Sequence, residues 1–373
     1  MGIIILKRAC HLAMTTRKTP ITEVVAKLLG ARVSCLHFSR FCGRDARVLR
    51  GFTITFAVSI LLLIPALATQ LTAAEKLSEA IRLHERGSFQ QAVDLLRQEA
   101  KTSPRNAEVR FRLGKALLKV RDWKAAVTEL ERAVELEPSN ARYRQWLGRA
   151  CGERASRAFL TTAYSMARRV VREFETASKL SPKDLSIRFD LLEYYLQAPA
   201  MVGGGADKAE AEAQTIAGID KQKGHTARAT IYRRNKQWDR ARAELLQATN
   251  EFPENAAAHE DLADFLFGRQ DYEGALQWSR KALSLNPELN YSRFLAAAAA
   301  TRLNRDLEAA TDELQALARG PLFDDDPTFE QVYHQLGENY LARGDNAKAK
   351  AAFQSTLSFN PEHSRAKEAL KKF

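Results

Sequence analysis

The chain has 373 residues, 45% of them hydrophobic and 27% charged, with a formal net charge of +12 and four cysteines. Residues 1–74 hold ten Lys/Arg against two acids, while residues 75–373 hold 47 basic and 43 acidic side chains. The high charge is therefore mostly a property of the leader and does not by itself argue for a nucleic-acid partner. Cys10, Cys35 and Cys42 also lie in that leader. Cys151 is left alone in the remainder, so an intramolecular disulfide there is excluded and the core must rest on apolar packing.

Residues 1–50 read as a basic leader, expected to be disordered or to reflect a start site placed too early, with translation beginning near Arg47–Arg50. Residues 51–74 are 24 positions without a charge, with the apolar core Phe56–Pro65. Arg44, Arg47 and Arg50 precede this stretch, and small residues at Ala66, Ala68 and Ala73 offer cleavage sites after its core. That is the layout of a secretory signal peptide. The same length also spans a bilayer as an uncleaved anchor. Both readings keep the basic flank inside and export the rest, which points to the bacterial cell envelope or periplasm. An alternative makes residues 1–50 an organelle transit segment and the apolar stretch an inner-membrane anchor. No cysteine follows the apolar core, and Leu6 stands where a myristoylation signal needs Ser or Thr.

From residue 75 the chain repeats. Pro104 and Pro138 are 34 residues apart, as are Pro253 and Pro287. Each follows an alanine by 12 residues (Ala92, Ala126, Ala241, Ala275), and each alanine follows a small residue by another 12 (Ala80, Gly114, Ala229, Ala263). Within Ala107–Asn140 the apolar residues recur at helical spacing, which predicts two helices broken near Arg121-Asp122. Gly114 and Ala126 lack bulk where the two helices approach, and Pro138 ends the second. Ten extra residues between Pro138 and Pro182 are expected to lengthen helices, and six extra lie near Asp324–Pro327. Residues 75–363 accommodate about eight units, the fourth and seventh degenerate, and 364–373 reads as a capping helix.

This pattern resembles the tetratricopeptide repeat family. Its small-residue and proline skeleton stands here as Leu113-Gly114, Ala126, Ala133, Pro138, again at Trp146-Leu147-Gly148, and again as Leu336-Gly337, Tyr340, Ala349, Phe353, Pro361. The resemblance implies an all-α, right-handed superhelical solenoid of stacked helix-turn-helix units behind the N-terminal signal or anchor segment. It further implies a concave groove lined by the first helix of each unit. Carried onto this chain, the groove positions are Glu108, Phe111 and Lys115; Arg142, Gln145 and Arg149; Ala257, Glu260 and Asp264; and Gln331, His334 and Glu338. These are basic toward the N-terminal half and acidic toward the C-terminal half. The expectation is a bipolar groove in which Lys115, Arg142 and Arg149 meet the carboxylates of a partner protein or peptide.

Catalytic chemistry has little support. The seven histidines show no metal-ligand spacing with one another or with cysteine, and no Gly-x-Ser-x-Gly elbow occurs. Gly203-Gly204-Gly205 lacks the Gly-Lys-Ser/Thr ending of a phosphate loop and reads as an interhelix loop. No cofactor, metal or small-molecule substrate is expected, and the chain is read as a non-enzymatic scaffold. Self-association through the convex face is the alternative. A minor one is RNA binding, from the basic, aromatic-interleaved segment Lys221–Arg242. The resemblance does not extend to the family's chaperone-tail clamp, whose slots here hold Leu77, Ile81, Arg112, Arg142 and Trp146.

Overall fold

The computed structural model describes residues 73–373. The readings made for residues 1–50, and for all but the last two residues of 51–74, lie outside them. Among the described residues every regular element is helical. They pair as α1 (73–85) with α2 (Phe89–Thr102), α3 (Ala107–Lys119) with α4 (Trp123–Leu136), α5 (Ala141–Ala155) with α6 (Leu160–Leu180), and α7 (Leu185–Gln197) with α8 (Ala206–Ile219). There follow α9 (Lys221–Arg234) with α10 (Trp238–Glu251), α11 (Ala256–Gly268) with α12 (Tyr272–Leu285), α13 (Asn290–Arg302) with α14 (Leu307–Arg319), and α15 (Phe329–Ala342) with α16 (Asn346–Phe359). The short α17 (Ser364–Leu370) closes the stack by burying Ala366 and Ala369.

Local chemistry starts and stops these helices. Side chains of Asn106, Asp122, Asn140, Asp184, Asp220, Asn255, Asp271, Thr328 and Asp345 accept hydrogen bonds from first-turn amides, satisfying donors that have no intrahelical partner. The first helix of most pairs ends on a left-handed residue at a repeating register: Gly87, Arg121, Lys236, Gln270, Asn304 and Gly344. The amide after it reaches back to close the last turn, as in Asp122 N to Leu117 O at 3.0 Å and Asp271 N to Leu266 O at 2.9 Å.

Between paired helices the small residues admit a large partner. A Cβ on Gly114 would lie 2.5 Å from Leu130, one on Gly148 2.4 Å from Phe174, and one on Gly337 2.5 Å from Phe353. Leu130, Phe174 and Phe353 are themselves buried. Interdigitation of this kind builds a core that runs along the stack.

A second recurring device was not visible in the periodicity. The residue six after each of four prolines reaches back to that proline's carbonyl: Arg110 to Pro104 (3.4 Å), Arg144 to Pro138 (2.9 Å), Arg188 to Pro182 (3.0 Å) and His259 to Pro253 (2.7 Å). The three arginines also donate to a glutamate on the second helix of their own pair: Glu129 (2.7 Å), Glu173 (2.9 Å) and Glu212 (3.0 Å). One guanidinium thus ties the turn from the preceding unit to both helices of the next.

The insertions have distinct destinations. α6 runs for 21 residues against 13 to 15 in most of its neighbours, and its start carries Phe159 and Leu160, 81% and 76% exposed. The glycine loop joins α7 to α8, where a Cβ on Gly204 would fall 1.8 Å from the Ala198 carbonyl oxygen. The segment 320–328 between α14 and α15 crosses to the start of the stack: Leu322 N donates to Glu85 O at 2.8 Å. Beside it Phe329 packs on Phe89 and Phe359, so the last pair of helices meets the first. No helix among the described residues is long and apolar enough to cross a membrane.

Candidate functional site

The first helices of successive pairs stand side by side, and their polar side chains bond across the seams. Tyr143 OH on α5 donates to Glu108 on α3 at 2.9 Å. Gln145 donates to Ser186 and Asp190 on α7 at 2.9 and 2.7 Å, and Arg149 to the same Asp190 at 2.7 Å. Ser292 on α13 donates to Glu260 on α11 at 2.7 Å, while Tyr291 and Arg233 hold Asp264 at 2.8 and 3.2 Å. Glu338 on α15 pairs with Arg302 on α13 at 3.0 Å. Burial pushes the carboxyls of Asp190 and Glu260 up even though donors surround them.

These contacts sort the predicted groove residues. Phe111 is fully buried, stacked on Tyr143 with ring centroids 4.7 Å apart. Gln145 is buried in the seam. His334 is also buried, packed against Phe353 and with its ring 4.7 Å from that of His363. Burial first, then the His363, Arg302 and Arg365 charges, lower the His334 pKa to about 4. Gln331 is spent on the capping box with Thr328. Glu108, Arg149, Glu260, Asp264 and Glu338 are held by neighbouring repeats.

Lys115 and Arg142 converge elsewhere, on the 320–328 segment. Lys115 Nζ lies 2.6 and 2.8 Å from the two carboxylate oxygens of Asp324, and Arg142 approaches the same group at 4.0 Å. The Lys115 ammonium sits 4.2 Å above the Trp146 ring, and the Arg149 guanidinium lies 4.9 Å from the centre of the same ring. Arg142 lies 5.1 Å over Phe111. Lys119, one turn beyond Lys115, faces the same space and has no salt-bridge partner among the described residues. Two cavities flank the segment, one of about 550 Å³ and one of about 360 Å³.

The electrostatics follow from crowding cations into a partly dry space. Burial lowers the pKa of Lys115 and of Lys119, and Asp324 opposes it in both. Burial, then Lys115 and Lys119, lower His84 to about 3, so it is neutral there. Burial pushes the Asp324 carboxyl up, but the bonds and charge of Lys115, with Lys119, outweigh it and hold it below its ordinary value. Arg112 and Arg142 stand beside Lys115 and Lys119, while Glu108 pairs with Arg112 and the Glu330 charge joins that of Asp324 on Lys119. Asp324 and Lys119 were not among the predicted residues. The signal for Asp324 was available: an insertion carrying three successive aspartates, in a chain whose first repeats present bases.

Among the described residues no group of three or more His, Cys, Asp or Glu could hold a metal ion. Cys151 is buried, and burial pushes its thiol up to about 11, far from a thiolate nucleophile. In the basic stretch Lys221–Arg242, Lys223 is held by Asp261, Arg228 by Glu244 and Arg233 by Asp264.

A stack of paired helices whose first members line one face, with capped turns and small-residue crossings, is a helical-repeat scaffold. Family profiles for the tetratricopeptide repeat match residues 83–149, 226–290 and 330–363. The chain belongs to the tetratricopeptide repeat family, whose members are in general non-enzymatic protein-interaction scaffolds. A search of curated protein sequences finds no match. Among solved structures, yeast Tom70 is similar at a TM-score of 0.53 with 17% identity, over 77% of this chain and 58% of that one. The chain thus spans under two thirds of that relative. The Cut9-Hcn1 hetero-tetramer of the APC/C gives 0.43 with 16% identity, over 80% and 55%. The tetratricopeptide protein TTC0263 of Thermus thermophilus gives 0.42 with 19% identity, over 52% and 99%.

Proposed function

We propose that the chain holds a partner protein or peptide on its concave face, as an assembly or adaptor factor of the cell envelope, without chemistry of its own. The observation that carries this is the cationic, aromatic cage of Lys115, Lys119, Arg142 and Trp146, with open space on both sides of it. A partner bearing acidic side chains gains charge-assisted hydrogen bonds there in a low-dielectric setting. The envelope location rests on the uncharged stretch 51–74 and on the basic residues that precede it.

Capture from membrane and envelope extracts by the full chain tests the reading. Arg142 is the site to reverse, because its side chain is 51% exposed whereas that of Lys115 is 5% exposed. A protein retained by the wild type and lost by Arg142→Glu with Lys119→Glu supports groove binding. A partner retained equally by both would place the contact elsewhere and refute it.

One observation favours self-association as a second reading. Phe159 and Leu160 stand exposed at the start of the lengthened α6. Mass measured across concentration decides it: an assembly dissolved by Phe159→Ser with Leu160→Ser supports it, and a monomer at every concentration overturns it.

A further inference from the structure

Six connections between successive units, Ser103–Asn106, 137–140, 181–184, 252–255, 286–289 and 360–363, use four residues, whereas α14 and α15 are joined by nine. The extra length is not needed to reverse the chain. It is spent on crossing the concave face, where the segment behaves as a bound peptide would. Leu322 donates its backbone amide to Glu85 O and buries its side chain, 7% exposed. Phe323 follows, 58% exposed between the two cavities. Asp324 then delivers both carboxylate oxygens to Lys115.

We infer that the cage is a binding site for an extended acidic segment of a partner, with an apolar-aromatic pair just before its carboxylate, and that Pro321–Asp326 is a resident stand-in for it. This rests on the groove reading above and names the ligand's chemistry. Three features carry it. The segment leaves cavities of about 550 and 360 Å³ beside it, so the site is larger than its occupant. Arg142, 51% exposed and 4.0 Å from Asp324, and Lys119, which has no salt-bridge partner among the described residues, stand beside the occupant. And stranding Lys115, 5% exposed, without an anion is costly, so a displacing segment that brings its own carboxylate is favoured over one that does not. A tethered occupant acts at an effective concentration of about millimolar, so it sets a threshold that an external ligand must exceed.

The probe is a fluorescent peptide of residues 320–328, Gly-Pro-Leu-Phe-Asp-Asp-Asp-Pro-Thr, titrated into the full chain in detergent and read by anisotropy. Asp324→Asn in the chain weakens the tethered occupant, and this variant is expected to bind the peptide at least about ten-fold more tightly than the wild type. Replacing the peptide's own first aspartate by asparagine, or adding Lys115→Met to the chain, is expected to abolish the gain. Equal affinity for wild type and Asp324→Asn, or for the two peptides, overturns the inference. Hydrogen exchange on the wild type covers the case in which Asp324→Asn misfolds. Saturating peptide should speed exchange of the Leu322 amide at least about ten-fold, and an unchanged rate overturns the inference. If the peptide fails while capture stays sensitive to Arg142→Glu, the groove reading stands and only the stand-in falls. If both fail, the groove reading falls as well.

Discussion

Arg188→Met isolates the arginine strap at a site where the glutamate has no second salt-bridge partner among the described residues, unlike Glu173, which also meets Arg169 and Arg172. Arg188 donates to both oxygens of Glu212, at 3.0 and 3.3 Å, and to the Pro182 carbonyl at 3.0 Å. The side chains are 15% and 9% exposed, so the pair lies near the buried limit. Removing one member of such a pair costs about 3–5 kcal/mol, most of it the penalty of a stranded carboxylate. Because the pair keeps slight exposure, about 3 kcal/mol is expected. Burial already raises the Glu212 pKa while Arg188 opposes it. Without Arg188 the pKa rises further, and protonation then relieves the penalty. The loss should thus be largest near neutral pH and shrink as pH falls through the variant's carboxyl pKa. Urea unfolding followed by circular dichroism gives the magnitude, and hydrogen exchange of α7 and α8 shows whether it is local. Arg188→Met with Glu212→Leu should recover most of the stability, since the burial cost of both charges disappears together. A single variant losing under about 1 kcal/mol, or a double variant as unstable as the single, would refute the argument.

Gly148→Ala should destabilise by about 1–3 kcal/mol, because the new Cβ meets the buried Phe174 ring at 2.4 Å; adding Phe174→Leu should restore most of it in the same urea assay. Gln270→Gly should raise stability by about 0.5–1 kcal/mol, since glutamine pays for a left-handed backbone at φ 66° that glycine adopts freely; an unchanged urea midpoint would contradict this. His334 should make the fold acid-sensitive. Its folded pKa of about 4 lies below the unfolded value, so stability is complete above about pH 6.5 and declines toward pH 4, by up to about 1.4 kcal/mol per pH unit. His84, at about 3, acts in the same sense, whereas Asp190, Glu212 and Glu260, raised by burial, act oppositely in the carboxylate range. His334→Gln should flatten the profile between pH 6.5 and 5, and an unaltered slope would show that this histidine is not the cause.

The repeat was legible because close helix crossings leave few options. Gly114, Gly148 and Gly337 stand where a methyl group would collide with a buried leucine or phenylalanine, so their spacing reports the architecture directly. The groove was legible only as a set of positions. Phe111, Gln145 and His334 occupy groove slots yet are buried in seams, because each finds a partner on a neighbouring helix that no local pattern specifies.

The arginine straps show the same boundary. Their six-residue offset from proline is written in the chain, but the glutamate each one meets lies 19 to 29 positions away, at distances set by helix length. Sequence alone determined the helix pairs and their small-residue crossings, because these depend on periodicity and contacts within one unit or between successive units. Tertiary structure alone decided that Asp324 lies on Lys115, 209 residues away. The summed rotation of the repeats brings those two positions together, and a rotation that accumulates over the whole stack is written in no single repeat.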